Sequence, residues 1–178
     1  MTPLEQIPWI AALLTNPSYE TFPLPSRPLD PSDVTNDNLF SKALNTPDAI
    51  PHCILQGRLP APPSPSTGQP EKLRLFASLG EDVTGHPGVL HGGVVASLLD
   101  SVMGLLMAFR GEVCMTSSLN IRYRRPVPAP GAVVVQSWVK EERAGRWIVL
   151  GEVVDQTGEV LAGAEGVFVG VRRRESRV

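Results

Sequence analysis

The 178-residue chain carries 16 Lys and Arg against 18 Asp and Glu, a net charge of −2. That balance gives no global electrostatic reason to expect nucleic acid or an anionic membrane as partner. The length is about one domain with enough material for a real core. Cys53 and Cys114 alone make no disulfide framework, and Met1 to Thr15 lacks both a basic secretory n-region and an Arg-rich targeting face, so the cytoplasm is the expected compartment.

Most of the 18 prolines precede Glu71, which divides the chain into a proline-rich arm over 1–50, a domain over 51–172 and a tail over 173–178. In the arm, Thr2-Pro3-Leu4-Glu5 has the form of a capping box ahead of a short helix bearing Trp9, Ile10, Leu13 and Leu14, with Pro8 limiting it. Asn16-Pro17 stops that helix, and the run to Pro31 predicts an extended path along the domain surface. A second short helix is predicted from Asn36 to Asn45, capped by Thr35 or Asn36, with Leu39, Phe40, Ala43 and Leu44 as its apolar face.

A first strand is predicted within His52 to Leu59, followed by a flexible loop over 60–70. Lys72 to Leu79 alternates Leu73, Leu75 and Ala77 with Lys72, Arg74, Phe76 and Ser78, a strand with one more polar face. After a loop, Gly92 to Phe109 predicts a long helix, apolar on nearly every side and therefore central. Asp100 and the small residues interrupt it, and it falls a little short of the roughly 20 apolar residues of a membrane span. Ser97, Asp100, Ser101 and Gly104 fall at i, i+3, i+4 and i+7 and form a single small and polar stripe. Four strands follow, Val113 to Arg124, Ala132 to Glu141, Trp147 to Asp155 and Glu159 to Val171, separated by short turns that make neighbours antiparallel. The predicted class is α+β, an antiparallel sheet wrapped around one long central helix.

Three motifs in register, His91-Gly92-Gly93 with Asp100, then Met115 to Ile121, then Tyr123 to Pro128, carry a resemblance to a known family. From about Glu71 to Val171 the chain resembles the hotdog-fold thioesterases, in particular the PaaI-like and THEM-type acyl-CoA thioesterases. The resemblance implies a homodimer or a dimer of dimers, sheets joined edge to edge, with active sites that draw on both chains. It implies an acyl-CoA or acyl-carrier thioester as substrate, no cofactor, and functional positions matched here by His91, Gly92, Gly93, Asp100 and Thr116.

Thioester hydrolysis explains why such residues are wanted. A carbonyl becomes an oxyanion in the reaction, and free N–H groups at a helix start meet that charge. Gly93 N–H is the expected donor, with Gly92 keeping the approach clear. Asp100 is expected as general base, direct attack to an anhydride remaining open, with Thr116 orienting water or carboxylate and His91 fixing the loop. Ser97 and Ser101 line the pocket or ease helix packing. Arg122 and Arg124 share one side of their strand and are candidates for the coenzyme A phosphates, a solvated face being the competing reading; the tail Arg172 to Arg174 is read likewise. His52, His86, His91, Cys53 and Cys114 have no metal-ligand spacing, so no metal is expected. No Gly-x-Ser-x-Gly elbow or phosphate-loop lysine appears. The rival to an enzyme is a non-hydrolytic hotdog protein that binds or presents acyl thioesters, motivated by the arm.

Overall fold

Proline lacks an amide hydrogen and holds a helical φ, so it suits the first position of a helix. The computed structural model, which describes residues 2–27, 37–58 and 70–171, uses Pro8 in this way. A 3₁₀ turn at Leu4–Gln6 leads into α1 (Pro8–Leu14), and Pro8 opens that helix rather than limiting it. The expected capping box does not form; Pro3 occupies the cap position and no side chain bonds there. Between Pro17 and Pro23 the three residues of β1 (Glu20–Phe22) keep their amide hydrogens and pair antiparallel with β2 (Cys53–Arg58), a strand where only an extended path was predicted. The helix predicted over 36–45 shortens to a π turn at Leu39–Ala43 that buries Phe40. Asp37 caps it by accepting from Phe40 N–H at 3.1 Å, while Thr35 and Asn36 lie outside the described residues, as do 60–69 of the predicted loop and the tail arginines.

β3 (Lys72–Leu79) is followed by a small hairpin, β4 (Thr84–His86) and β5 (Val89–Leu90), where a plain loop was predicted. Then come α2 (Gly92–Phe109), β6 (Cys114–Tyr123), β7 (Gly131–Arg143), β8 (Arg146–Val154) and β9 (Val160–Gly170). The main sheet runs β1-β2-β3-β7-β8-β9-β6 with antiparallel neighbours throughout, so β6 is an edge strand.

α2 lies across this sheet and buries Val95, Leu98, Leu99, Val102, Met103, Leu106 and Met107. Each such side chain contributes about 1.5–3 kcal/mol. The close approach depends on missing side chains opposite: a Cβ at Gly151 would lie 2.9 Å from Met103 Sδ, and one at Gly166 2.6 Å from Met103 Cε. Ser137, fully buried, donates to the Val102 carbonyl at 3.1 Å. The sheet covers only this face. Ala96, Ser97, Asp100, Ser101, Gly104 and Leu105 remain half-buried and Ala108 exposed, so the all-round burial predicted for the helix is corrected to one buried side. By length and composition alone the same 18 residues are apolar enough to cross a membrane, contrary to the sequence expectation.

The polar face predicted for β3 is also corrected. Phe76 is buried beneath Leu4 and Ile10 together with Val134 and Val154, because the arm covers the outer side of the sheet. Arg74 is only 6% exposed there. It donates to Leu13 O at 2.7 Å and to Gln56 Oε1 at 2.6 and 3.0 Å, and it stacks 3.6 Å from the Tyr19 ring centroid. Gln56 in turn donates to Leu14 O at 3.2 Å. The end carbonyls of α1, which no helical partner can satisfy, are thus met by side chains of the sheet. Burial opposes the charge and lowers the Arg74 pKa from its usual value.

Candidate functional site

Two main-chain bonds fix the entry to α2. Leu90 N–H donates to Val127 O and His91 N–H to Val83 O, each at 2.8 Å. His91 then takes the N-cap position with extended backbone, and its Nδ1 accepts from Gly93 N–H at 2.9 Å. This places the imidazole in the role usually filled by Ser or Asp, satisfying one orphan donor of the first turn. The ring fits because its neighbours have no side chains: a Cβ at Gly93 would lie 3.0 Å from His91 Nδ1, and one at Gly85 3.0 Å from Cδ2. Gly85 was missed in the sequence, where it stood in an unremarkable turn. A Cβ at Gly92 would meet the Tyr123 ring only at 3.6–3.7 Å, an ordinary contact.

The expected oxyanion donor is therefore engaged. Gly93 N–H points to His91, and a substrate carbonyl reaches it only by displacing that cap. The N–H groups of Val94 and Val95 turn back to His91 O at 2.9 and 3.1 Å. Gly92 N–H has no acceptor among the described residues, so the exposed start of the helix keeps an open donor.

Asp100 lies half-buried on the uncovered stripe of α2. Its Oδ1 accepts from Thr116 Oγ1 at 2.8 Å, so the two residues matched through the family resemblance meet in space. A bulge contributes to the aim: Thr116 pairs with Phe168 and Ser118 with Val167, leaving Ser117 extra, and such an insertion re-aims side chains on the bulged strand. Ser97 Oγ donates to Gly93 O at 2.9 Å; Ser101 is half-buried on the same stripe.

Arg122 and Arg124 do not join this group. Arg122 aligns through Gly163, Glu152 and Gln136 with Arg74, which places it on the outer face of the sheet. With Arg124, Asn120, Trp138 and Leu150 it lines a groove of about 350 Å³ on the side away from Asp100 of the same chain. Tyr123 has the opposite parity, pairing with the buried Ala162, and its hydroxyl donates to Gly92 O at 2.9 Å. Sequence reading quoted Tyr123 only within its motif; its parity with Leu119 and Ile121 was the available signal that it faces the helix.

The sequence model of the thioesterase superfamily matches residues 87–162, a span that includes every one of these site residues except Gly85. That stretch carries the thioesterase-superfamily sequence pattern, and the fold around it is the hotdog fold of the structures it resembles. Over 92 residues the chain is 35% identical to acyl-coenzyme A thioesterase THEM4 of Bos taurus, covering 51% of this chain and 37% of that one. A crystallised thioesterase superfamily protein is 29% identical with a TM-score of 0.57, covering 67% of this chain and 56% of its own. A Bacillus halodurans protein solved with CoA is 28% identical with a TM-score of 0.52, covering 58% and 70%. The chain spans between about a quarter and a half of the length of the curated relatives it matches.

Proposed function

We propose that the protein is an acyl-CoA thioesterase, with Asp100 as general base and the start of α2 as the oxyanion site. The observation that carries the reading is the Asp100 carboxylate held by the Thr116 hydroxyl on the one side of α2 that the sheet leaves uncovered. The THEM4 similarity and the CoA-bound neighbour support the substrate class. An acyl-carrier thioester presents the same reacting carbonyl.

In this reaction Asp100 takes a proton from water as the water oxygen bonds to the thioester carbon. The carbonyl electrons move to oxygen, where N–H groups at the helix start stabilise them. Collapse of the adduct breaks the C–S bond, and the proton held by Asp100 goes to the departing sulfur, leaving a carboxylic acid and a free thiol. Base and donor must each lie within about 3 Å of the reacting group. Along one helix Gly93 and Asp100 are seven residues apart, about 10 Å of rise, and an Asp side chain shortens that by only a few ångströms. One carbonyl cannot use both from one helix, which favours a site built from two copies of the chain.

The edge strand supports such a homodimer. Among the described residues β6 offers ten residues of unpaired edge, carrying Met115, 66% exposed, with Val113, 72% exposed, just before it, whereas the other edge, β1, is three residues long and is followed by Pro23. A long open edge with apolar neighbours favours pairing with another chain. Asp100→Asn keeps an acceptor for Thr116 and removes the charge. It is expected to lower kcat about 10²- to 10⁴-fold on an acyl-CoA panel read by thiol release, at an unchanged mass of twice 19.2 kDa. Parental turnover in the variant, or a monomeric mass for an active parent, would overturn the reading. The cap bond from Gly93 to His91 favours one rival, a protein that holds acyl thioesters without turnover; it is supported if the parent binds acyl-CoA and releases no thiol.

A further inference from the structure

A peptide group is planar, so its C=O and N–H move as one unit. The N–H of Gly93 belongs to the peptide whose oxygen is Gly92 O. Two side chains hold that single unit: Tyr123 Oη donates to Gly92 O at 2.9 Å, and His91 Nδ1 accepts from Gly93 N–H at 2.9 Å. Gly92 stands at the first position of α2, where its carbonyl also belongs to the helical ladder, so the phenol occupies the carbonyl's second acceptor direction. Its ring lies over Gly92, close enough that an added Cβ would touch it at 3.6 Å. The same strand that holds Asp100 through Thr116 thus holds the helix start through Tyr123.

We infer that Tyr123 is a positioning residue for the oxyanion donor. A hydrogen bond accepted at a peptide oxygen polarises the group and strengthens its N–H as a donor, by roughly 10–30% per bond in condensed-phase estimates. It also fixes the direction in which that N–H points once a thioester carbonyl replaces His91 as its acceptor. The inference rests on the proposed thioesterase reading for its catalytic consequence and on the free protein for its physical one. Tyr123 is 55% exposed, so removing its hydroxyl leaves the core untouched.

Two readouts test it. In Tyr123→Phe the Gly93 amide proton, followed by ¹H–¹⁵N correlation in the free protein, is expected to move upfield, while kcat falls about three- to tenfold with KM within about twofold and thermal stability near that of the parent. Site-specific 3-fluorotyrosine at position 123, a stronger donor in the same place, is expected to move the amide proton the other way and to restore or raise kcat. The amide shift requires no substrate, so it stands apart from the thioesterase reading. An unmoved Gly93 amide in both variants overturns the inference whatever the protein hydrolyses. In an active parent, unchanged kcat with Tyr123→Phe, or a loss of kcat that follows a loss of folded protein and is not corrected by fluorotyrosine, overturns it as well.

Discussion

Thr116→Val removes one hydroxyl and keeps the shape and β-branching of the side chain on an edge strand. In the structure that hydroxyl donates to Asp100 at 2.8 Å, a bond to a charged acceptor. Such bonds contribute about 1.5–3 kcal/mol when shielded. Here Thr116 is exposed and Asp100 half-buried, so water replaces part of the loss and about 1–2 kcal/mol remains. The expected result is a kcat about 5- to 30-fold below the parent, with KM within about twofold, because in the proposed reaction the bond orients Asp100 as the base and does not touch the acyl carrier. Thr116→Ser is expected to recover most of the rate. The double variant Asp100→Asn/Thr116→Val is expected to be no slower than Asp100→Asn alone, since the two residues act as a unit. The assay is thiol release from an acyl-CoA at saturating and limiting substrate, with unfolding curves to show that a stability loss of the same roughly 1–2 kcal/mol leaves the variant folded at the assay temperature. Parental kcat in Thr116→Val, or a double variant whose loss is the product of the single losses, would refute the reasoning.

Arg74→Met is expected to destabilise the protein by about 2–4 kcal/mol, because Leu13 O and the buried Gln56 Oε1 lose their donor. Amide exchange should accelerate in α1 and β1 and stay as in the parent around Asp100; an unchanged denaturation midpoint would count against the packing described for the arm. Burial pushes the Cys53 thiol up to about 11, leaving about one thiolate in a thousand at pH 8. Its alkylation in the native protein should therefore be slower than that of Cys114 and rise tenfold per pH unit until unfolding competes, and equal rates for the two thiols would contradict that burial.

Periodicity made α2 legible to the residue: the apolar run from Gly92 to Phe109 has a turn before it and Gly111 after it, and its small polar stripe identifies the side that the sheet leaves uncovered. The four strands after it were legible to within one or two residues at each end, because alternation and glycine turns are local signals. The arm was not. Arg74 and Ser78 read as solvent-facing because their cover is supplied by residues some 60 and 26 positions away, and no local pattern records such a partner. β1 was hidden for the same reason, since three residues between prolines become a strand only when β2 is beside them.

At the site the division is similar. Residue types and spacing along the chain determined that a histidine, two glycines and an acid would sit at the start and on one face of a helix, because helical geometry converts i, i+4 and i+7 into a side. Tertiary structure decided what each one touches. It brought Thr116 to Asp100, placed His91 rather than open solvent at Gly93 N–H, set Tyr123 on the Gly92 carbonyl, and carried Arg122 and Arg124 to the opposite face of the sheet. The physical reason is that a strand's parity fixes which residues share a face, while the bulge at Ser117 and the pairing of β6 with β9 fix which face meets the helix.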